Sequence, residues 1–481
     1  MDTALSRRRL LQSVALVGLS ACSDEVTRAR SATTGPSTTT GAPTPTVATT
    51  TTTIDPALVL ERRLERATFG VTPALRAEVD AAGGFEPWLD AQLRPDELAV
   101  PDGAWRLRAV DARMPQLADL RFDTDEERRV ASRLAVQTIT GRTLLGAAWA
   151  PDQLRQRMVD LLADLLHVTS SEQPELFGVP DYDRVLRAGA FGRFADLLAA
   201  TARHPAMLVF LDNGTSRADG GRIPNENYAR ELMELHTVGV DGGYDEADVV
   251  ELAHVLSGWS VVRATRTYRF RPDWHDLGPL AAGGDVLGWR PSGPGERAGE
   301  EALEHLAHHP ATARRLAHLL ARRFVSEAIP QDHPLVVEAA EVYLGADTAL
   351  GPVVRHLLLS EHFAAAATLM VRRPIDLVAH VLRTTGAELR LGEGAIDQTL
   401  QSLLGLMRVL GQVPYGWPAP DGYPWSSAAW SNAGAMIARW NGITTLAAAE
   451  RFGIVVDPVV AGATDRAALV ATLCGPAHQV F

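Results

Sequence analysis

Residues 125–148 read DEERRVASRLAVQTITGRTLLGAA, and residues 152–167 read DQLRQRMVDLLADLLH. In both stretches apolar residues recur at positions i, i+3, i+4 and i+7, the spacing that places them on one face of an α-helix. The same period returns along most of the chain from Ile54 onward. We therefore predict an all-α fold, a mainly helical multi-helix body with long Pro/Gly-rich loops between its helices.

Strand patterns are rare outside these helices. Residues 266–271 alternate with period two, and we expect residues 285–289 to pair with them as one small β-hairpin. The chain has no series of alternating strands and no βαβ pattern, which argues against sandwich and Rossmann architectures. The predicted helices cover 58–69, 73–82, 85–93, 125–148, 152–167, 191–202, 225–238, 246–259, 298–308, 311–326, 333–344, 349–359, 373–386, 396–409, 432–452 and 465–473.

The N-terminus has the pattern of an export signal. Residues 7–9 are all arginine, and they precede a mostly apolar stretch through Ala21 that is too short to span a bilayer. Paired arginines are typical of a twin-arginine signal peptide, and residues 19–22, LSAC, resemble a lipobox. We therefore predict a signal peptide at 1–21, lipid on Cys22, export, and anchoring on the outer face of the cytoplasmic membrane.

A disordered stalk is predicted between the anchor and the body. Residues 22–55 are rich in Thr, Ser and Pro and include the run of threonines at 49–53. Such a segment cannot bury enough apolar area to offset the entropy lost on ordering. The remaining residues, 56–481, are predicted to form the helical globular domain. A division of this domain into two lobes near 260–300 stays open.

Composition and charge exclude several classes of function. All 46 basic residues are arginine, so no lysine is present to form a Schiff base or to bind phosphate in a P-loop. The net charge of −12 repels phosphate backbones, and we expect no nucleic-acid partner. The two cysteines, Cys22 and Cys474, are too few for a thiolate zinc site.

Residues 225–244, NENYARELMELHTVGVDGGY, contain the strongest candidate site. At about 100° per residue, Asn227, Glu231 and Glu234 fall within about 60° of one another on one helix face. Arg230 lies beside them. An amide and two carboxylates suit a hard cation or the polar groups of a substrate. A solvated outer face explains the same pattern, and both interpretations stay open.

Two metal-like patterns nearby have simpler explanations. Residues 241–248 contain aspartates but lack the ligand spacing of an EF-hand, so we expect Gly239 to end one helix and Asp245 to cap the next. His305 and His309 have the spacing of a zinc pair, yet no metalloprotease glutamate lies between them. We expect these histidines on an exposed helix face, and the sequence assigns no metal, cofactor or catalytic residue.

Aromatic residues are concentrated in the predicted loops. Indole and phenol rings present the apolar faces and polar tips that bind saccharides or peptides. Trp259, His275 and Trp417 are therefore candidate walls of a pocket around helix 225–238. The alternative is that the rings cap the helical core and stiffen long loops. The loop aromatics are Trp259, Tyr268, Trp274, Trp289, Tyr415, Trp417, Tyr423, Trp425 and Trp430.

Residues 225–244, together with six shorter blocks elsewhere in the chain, resemble the signature of a bacterial exported family named domain of unknown function 1800. The longest matching block is 225–244, and the similarity spans roughly 56–481. The resemblance implies a mainly helical exported protein and assigns no activity. The other matching blocks are RATFG at 66–70, RHPAM at 203–207, LDN at 211–213, LSGW at 256–259, RRP at 372–374 and GWPAPDGYP at 416–424.

The chain departs from the family pattern at two places. Members commonly show an Asn-His pair where this chain has Asp164 and Leu165, and a lysine where it has Leu280. If the family uses these groups in catalysis, this member lacks a histidine that could act as ligand or base. The departures favour binding over catalysis for this chain.

Two hypotheses for function follow. The first is a membrane-tethered lipoprotein that binds or assembles at the cell envelope, with an envelope polymer or an exported protein as its partner. The alternative is an enzyme that acts on an envelope or external polymer through the polar pocket around 225–238. Both require the polar side chains after residue 225 to point into a sheltered cleft.

Overall fold

The structure, a computed structural model, describes residues 55–99, 105–114, 124–170, 178–262, 264–366, 368–390, 395–448 and 453–481. These residues are mainly helical, which confirms the predicted fold class. The predicted signal peptide, Cys22 and the stalk through residue 54 lie outside the described residues. None of the described helices is both long enough and apolar enough to cross a membrane.

The α-helices are α1 (Pro56–Ala67), α2 (Pro73–Ala81), α3 (Phe85–Gln92), α4 (Trp105–Asp111), α5 (Asp125–Trp149), α6 (Gln153–Leu165), α7 (Val179–Gly189), α8 (Phe194–Ala202), α9 (Pro205–Phe210), α10 (Asn227–Glu231), α11 (Glu246–Val255), α12 (Glu296–His308), α13 (Pro310–Phe324), α14 (Pro334–Gly345), α15 (Leu350–Leu359), α16 (Glu361–Ala366), α17 (Pro374–Thr384), α18 (Ala395–Leu410), α19 (Ser427–Trp430), α20 (Ala433–Ala447), α21 (Arg466–Cys474) and α22 (Pro476–Gln479). The strands are β1 (Trp259–Val262), β2 (Thr267–Phe270), β3 (Glu388–Leu389) and β4 (Ile454–Val455).

Capping side chains fix the starts of several helices. At α5, the Thr124 hydroxyl accepts the Glu127 N–H at 3.2 Å, and the Glu127 carboxylate accepts the Thr124 N–H at 2.9 Å. Such a capping box satisfies two backbone donors that the helix itself leaves free. His309 acts in a similar way, because its Nδ1 accepts the Ala311 N–H at 3.2 Å. This histidine of the zinc-spaced pair therefore caps α13.

The predicted hairpin is present, but its predicted partner strand is wrong. β2 pairs antiparallel with β1, not with residues 285–289. Within 285–289, Val286 and Trp289 form a tight bridge with each other. The predicted helix 246–259 also ends earlier, at Val255, so that Trp259 is free to begin β1. Hairpins form most readily between strands joined by a short connection, which favours the adjacent strand.

Some elements were not predicted from the sequence. β3 and β4 pair antiparallel over two residues each, a length that shows no recognisable period. Helices α4, α7 and α9 were also missed. Each is short, and α7 and α9 have proline in their first turn. Proline is compatible with a helix start, but it also marks loops.

Residues 54–481 form one compact unit. Its described buried apolar side chains make two clusters. The larger cluster joins α1–α3 and α5–α15, and the smaller joins α4 and the C-terminal half of α5 to α17, α18, α20 and α21. Apart from Tyr415, the larger cluster consists of residues through Phe363, and the smaller cluster consists mainly of residues from Ile375 onward.

Buried ion pairs connect helices from both clusters. Arg157 of α6 pairs with Asp376 of α17, and Arg323 of α13 pairs with Asp160 of α6 at 2.7 Å. Arg373, just before α17, pairs with Asp160 at 2.6 Å. These five side chains are between 0 and 8% exposed. Because each charge needs its partner in the interior, the pairs fix how α6, α13 and α17 pack.

Candidate ligand site

Asn225 precedes the signature helix α10, whose N-cap position is Glu226. The Asn225 side-chain oxygen accepts the Asn227 N–H at 2.9 Å. The Asn227 amide donates to the carbonyl of Leu211 at 3.2 Å, so this candidate residue ties α10 to the loop that follows α9. Its side chain is half-buried there.

Arg230 is held by two carboxylates on the surface beside α10. The expected pair with Glu226 is present at 3.3 Å, and Arg230 also pairs with Glu246 of α11 at 2.6 Å. The hydrogen bond to Glu246 is the main reason that the pKa of Arg230 is raised. Arg230 therefore forms its ion pairs with Glu226 and Glu246.

The sequence predicts a regular α-helix through Val238, but the α-helix ends at Glu231. Leu232–His236 form a π-helical turn, in which the Thr237 hydroxyl donates to the Leu232 carbonyl at 2.7 Å. Gly239 ends the turn with a φ of 84°, as predicted. A π turn accommodates an extra residue and is frequent at functional sites. The position of Glu234 relative to Glu231 therefore differs from the one that a 3.6-residue period gives.

Glu231 and Glu234 are half-buried and close to each other. Burial and the charge of Glu234 raise the pKa of Glu231, the charge of Arg230 opposes this, and Asp421 raises it further. Burial, together with a hydrogen bond to Glu234, raises the pKa of Tyr244 to about 12. The carboxylates thus lie in a partly sheltered acidic environment.

The loop before α19 brings Trp417 and Asp421 to these carboxylates. The Trp417 indole N–H donates to Asp421 Oδ1 at 2.8 Å, and Asp421 is near enough to Glu231 to raise its pKa. The Trp417 carbonyl lies 2.9 Å from His167 Nε2, which connects the loop to the end of α6. We call Glu231, Glu234, Tyr244, Trp417 and Asp421 the acidic–aromatic site.

Asp164 contacts the loop that contains Trp417 and Asp421 through Gly422 and Tyr423. Its Oδ1 accepts the Tyr423 N–H at 3.1 Å, and its Oδ2 pairs with Arg373 at 2.5 Å. Gly422, with a φ of 69°, packs on the Asp164 backbone, where a Cβ would lie 2.5 Å from the carbonyl oxygen. At the position where the resemblance implies an Asn-His pair, this chain therefore has a buried carboxylate that holds the tryptophan loop.

Trp259 and His275 lie elsewhere. Trp259 is fully buried, with its ring 5.7 Å from that of Tyr268. His275 accepts the Gly295 N–H through Nε2 at 3.0 Å, and its Nδ1 is 3.1 Å from the Ser257 carbonyl. No contact between either side chain and the acidic–aromatic site is found among the described residues. Both side chains instead connect loops around β1.

Carboxylates of the acidic–aromatic site do not converge on a point where a metal ion fits. Among the described residues, the one set of three possible ligands within 4.8 Å of one another is Glu304, His308 and Asp347. Arg193 pairs with Glu304 at 2.6 Å and with Asp347 at 2.7 Å, so one guanidinium already binds both carboxylates of that set. This geometry gives no support to a hard cation at the signature helix.

Sequence reasoning missed Asp421, Tyr244 and His167 as parts of the site. Tyr244 ends the signature block 225–244, and Asp421 lies inside the block GWPAPDGYP, so the signal was available in the motifs. Helical spacing marks Asn227, Glu231 and Glu234 as one polar face, whereas Tyr244 and Asp421 lie in non-helical parts of their blocks and show no such spacing. His167 shows no local pattern that would reveal its contact with Trp417.

The fold and the site together describe a mainly helical protein in which two separate sequence blocks, 225–244 and 416–424, meet at one acidic surface. A family model described as Protein of unknown function (DUF1800) matches residues 62–478. The chain therefore belongs to this family, as the resemblance indicated. No curated protein and no solved structure shows detectable similarity to the chain.

Proposed function

We propose that this protein is an exported, lipid-anchored binding protein of the cell envelope, and that its acidic–aromatic site holds a polymer with hydroxyl or amine groups. The export and lipidation patterns in residues 1–22 support the location. Membership of a family matched over 62–478 supports a shared site in the helical body.

The observation that carries the proposal is the excess of negative charge at the site, which the charge of Arg230 only partly offsets. Among the described residues, no arginine lies within ion-pair distance of Glu231, Glu234 or Asp421. The arginines nearby pair with other carboxylates. Burial and the repulsion of the nearby Glu234 both raise the pKa of Glu231. Ligand groups that donate hydrogen bonds or carry positive charge relieve this repulsion.

Aromatic rings beside the carboxylates supply the apolar part of such a site. Trp417 and Tyr244 are half-buried, so part of each ring is reachable from solvent. A sugar ring combines an apolar face with hydroxyl donors, and an indole beside carboxylates matches both features. A saccharide polymer is therefore the ligand class that this site favours.

Binding is tested by sedimentation of the full chain with insoluble cell-wall polysaccharide. We expect Trp417→Ala to lower retention at least about tenfold, because aromatic residues dominate binding energy at such surfaces. Trp440→Ala is the matched control, since Trp440 is an exposed tryptophan of α20 away from the site. Equal retention of both variants and the wild type would contradict the proposed site.

An enzyme remains the second candidate, supported by the raised pKa of Glu231 beside two other carboxylates. General acid–base catalysis uses two neighbouring carboxyl groups, of which one is protonated and the other is ionised. The test is release of soluble fragments from the same polysaccharide. Turnover that Glu231→Gln abolishes would favour an enzyme, and binding without turnover would favour a binding protein.

Glu231→Gln should also leave stability nearly unchanged. Burial already disfavours the charged form of Glu231, so a neutral amide is tolerated and the free energy of unfolding should change by less than about 0.5 kcal/mol. Urea denaturation measures this, alongside retention on the polysaccharide. A loss of several kcal/mol would instead identify Glu231 as part of a structural network.

A further inference from the structure

His236, the last residue of the π turn, is a buried polar group without a protein partner. It is 0% exposed, and neither ring nitrogen has a hydrogen-bond partner among the described residues. His275, by contrast, has a backbone partner at each nitrogen. Because buried polar groups are almost always hydrogen-bonded, His236 calls for an explanation.

Arg315 of α13 is a second unpartnered group next to His236. Its Nη1 is buried without a hydrogen bond, and no carboxylate pairs with it among the described residues. Burial lowers its pKa to about 10. Gly239 packs on its stem, since a Cβ there would lie 2.8 Å from Arg315 Cδ. The charge of Arg315 contributes, after burial, to the low pKa of His236.

We propose that Arg315 and His236 together form a binding site for a small oxyanion, a phosphate or carboxylate group, where the π turn meets α13. The site is distinct from the acidic–aromatic site and does not depend on the function proposed for it.

The two side chains supply the donors that an oxyanion needs. A guanidinium presents paired N–H groups that match two oxygens of a phosphate or carboxylate, and a neutral imidazole adds one N–H donor. Arg315 as a whole is half-buried, whereas its Nη1 is enclosed. An anion would also compensate a cation whose burial is otherwise unfavourable. Buried Arg157 has Asp376 for this purpose, and buried Arg439, which has no ion pair among the described residues, instead donates to Gln479 and to the Arg372 carbonyl.

The test is titration of the full chain with inorganic phosphate and, separately, with acetate, followed by calorimetry. We expect saturable binding of at least one of them, and at least about tenfold weaker binding by Arg315→Gln, because hydrogen bonds between charged groups are the strong ones. Arg314→Gln is the matched control, since Arg314 is the exposed neighbour on the same helix. It should bind like the wild type.

A second measurement reports on His236 directly. In a sample with ¹⁵N-labelled histidine, the His236 resonances should shift on saturation, whereas those of His275 should not, because its nitrogens already have partners. Loss of a resonance in His236→Gln assigns that resonance to His236. If His236→Gln does not fold, the comparison of Arg315→Gln with Arg314→Gln still tests the proposal. The proposal is overturned if neither anion binds, if Arg315→Gln binds like the wild type, or if Arg314→Gln loses as much affinity.

Discussion

Asp376 is the side chain on which the interior charges depend most. It is fully buried and pairs with Arg157 and Arg323. Burial opposes its ionisation, but the charges of Arg157, Arg323 and Arg373 outweigh burial and hold the pKa of Asp376 well below its usual value. Its carboxylate also accepts the Arg373 N–H at the start of α17, at 3.3 Å. One residue thus serves as counter-ion and as helix cap.

Asp376→Asn should destabilise the protein by about 3–5 kcal/mol, since removing one partner leaves buried guanidinium groups uncompensated. Urea denaturation at pH 7 measures the change. Glu61→Gln is the control, because Glu61 pairs with Arg76 at 2.6 Å on the surface, where such a pair is worth about 0–1 kcal/mol. Similar losses in the two variants would contradict this account.

At the residue scale, sequence reasoning located only part of the candidate site. The polar face of the signature helix was visible because charges at helical spacing identify a face. The Trp417 block was visible as a motif, but nothing local shows that Asp421 approaches Glu231. Trp259 looked like a loop residue, yet its burial depends on Gly299 from a distant helix. Contacts between distant segments are set by packing, which one sequence does not display.

At the element scale, α12 approaches β1 closely because it has glycine at position 299. A Cβ at Gly299 would overlap the Trp259 indole. The close approach lets a large aromatic side chain fill the space between the helix and the hairpin. Gly405, in α18, is also helical, but a Cβ there would meet nothing within 4 Å.

Alanine at these two glycines should therefore have opposite effects. Gly299→Ala should destabilise by about 1–3 kcal/mol through overpacking against Trp259. Gly405→Ala should stabilise by about 0.5–1 kcal/mol, since alanine is the better helix former and no clash opposes it. Thermal unfolding of both variants measures the difference. A stabilising Gly299→Ala would show that the indole can move aside.

Helices were the elements that sequence predicted best. Long amphipathic segments such as α5 and α6 start and end within one or two residues of their predicted bounds. The π turn at Leu232–His236 was not predicted, because the preference for an extra residue arises from the surroundings of the helix. The hairpin partner was wrong for a related reason, since short strands depend on which segment packs beside them.

At the scale of the whole molecule, several buried groups make the fold sensitive to acid. Burial lowers the pKa of His236 from 6.5 to about 3, and burial with nearby arginines lowers the pKa of His380. In the unfolded chain these histidines take up protons below about pH 6.5. Their contribution to stability is therefore complete above that pH and is lost as the pH falls toward the folded pKa.

We expect the free energy of unfolding to be nearly constant above pH 7 and to fall below about pH 6.5. Each such histidine should contribute a slope of about 1.4 kcal/mol per pH unit. Below the ordinary pKa of 3.8, the unfolded chain protonates Asp376 while the folded protein keeps the charge, which should steepen the decline. Urea denaturation at a series of pH values tests this. His236→Gln should reduce the slope between pH 6 and 4.

The buried pairs also determine when folding can finish during synthesis. Arg157 and Asp376 are separated by 219 positions, and Arg373 and Asp160 by 213. A chain emerges from the ribosome N-terminus first, so the guanidinium of Arg157 has no counter-ion until Asp376 has been translated. A messenger truncated upstream of that codon would yield a product with an unbalanced cation at its centre. Such a product should be degraded by cellular proteases instead of accumulating as a folded fragment.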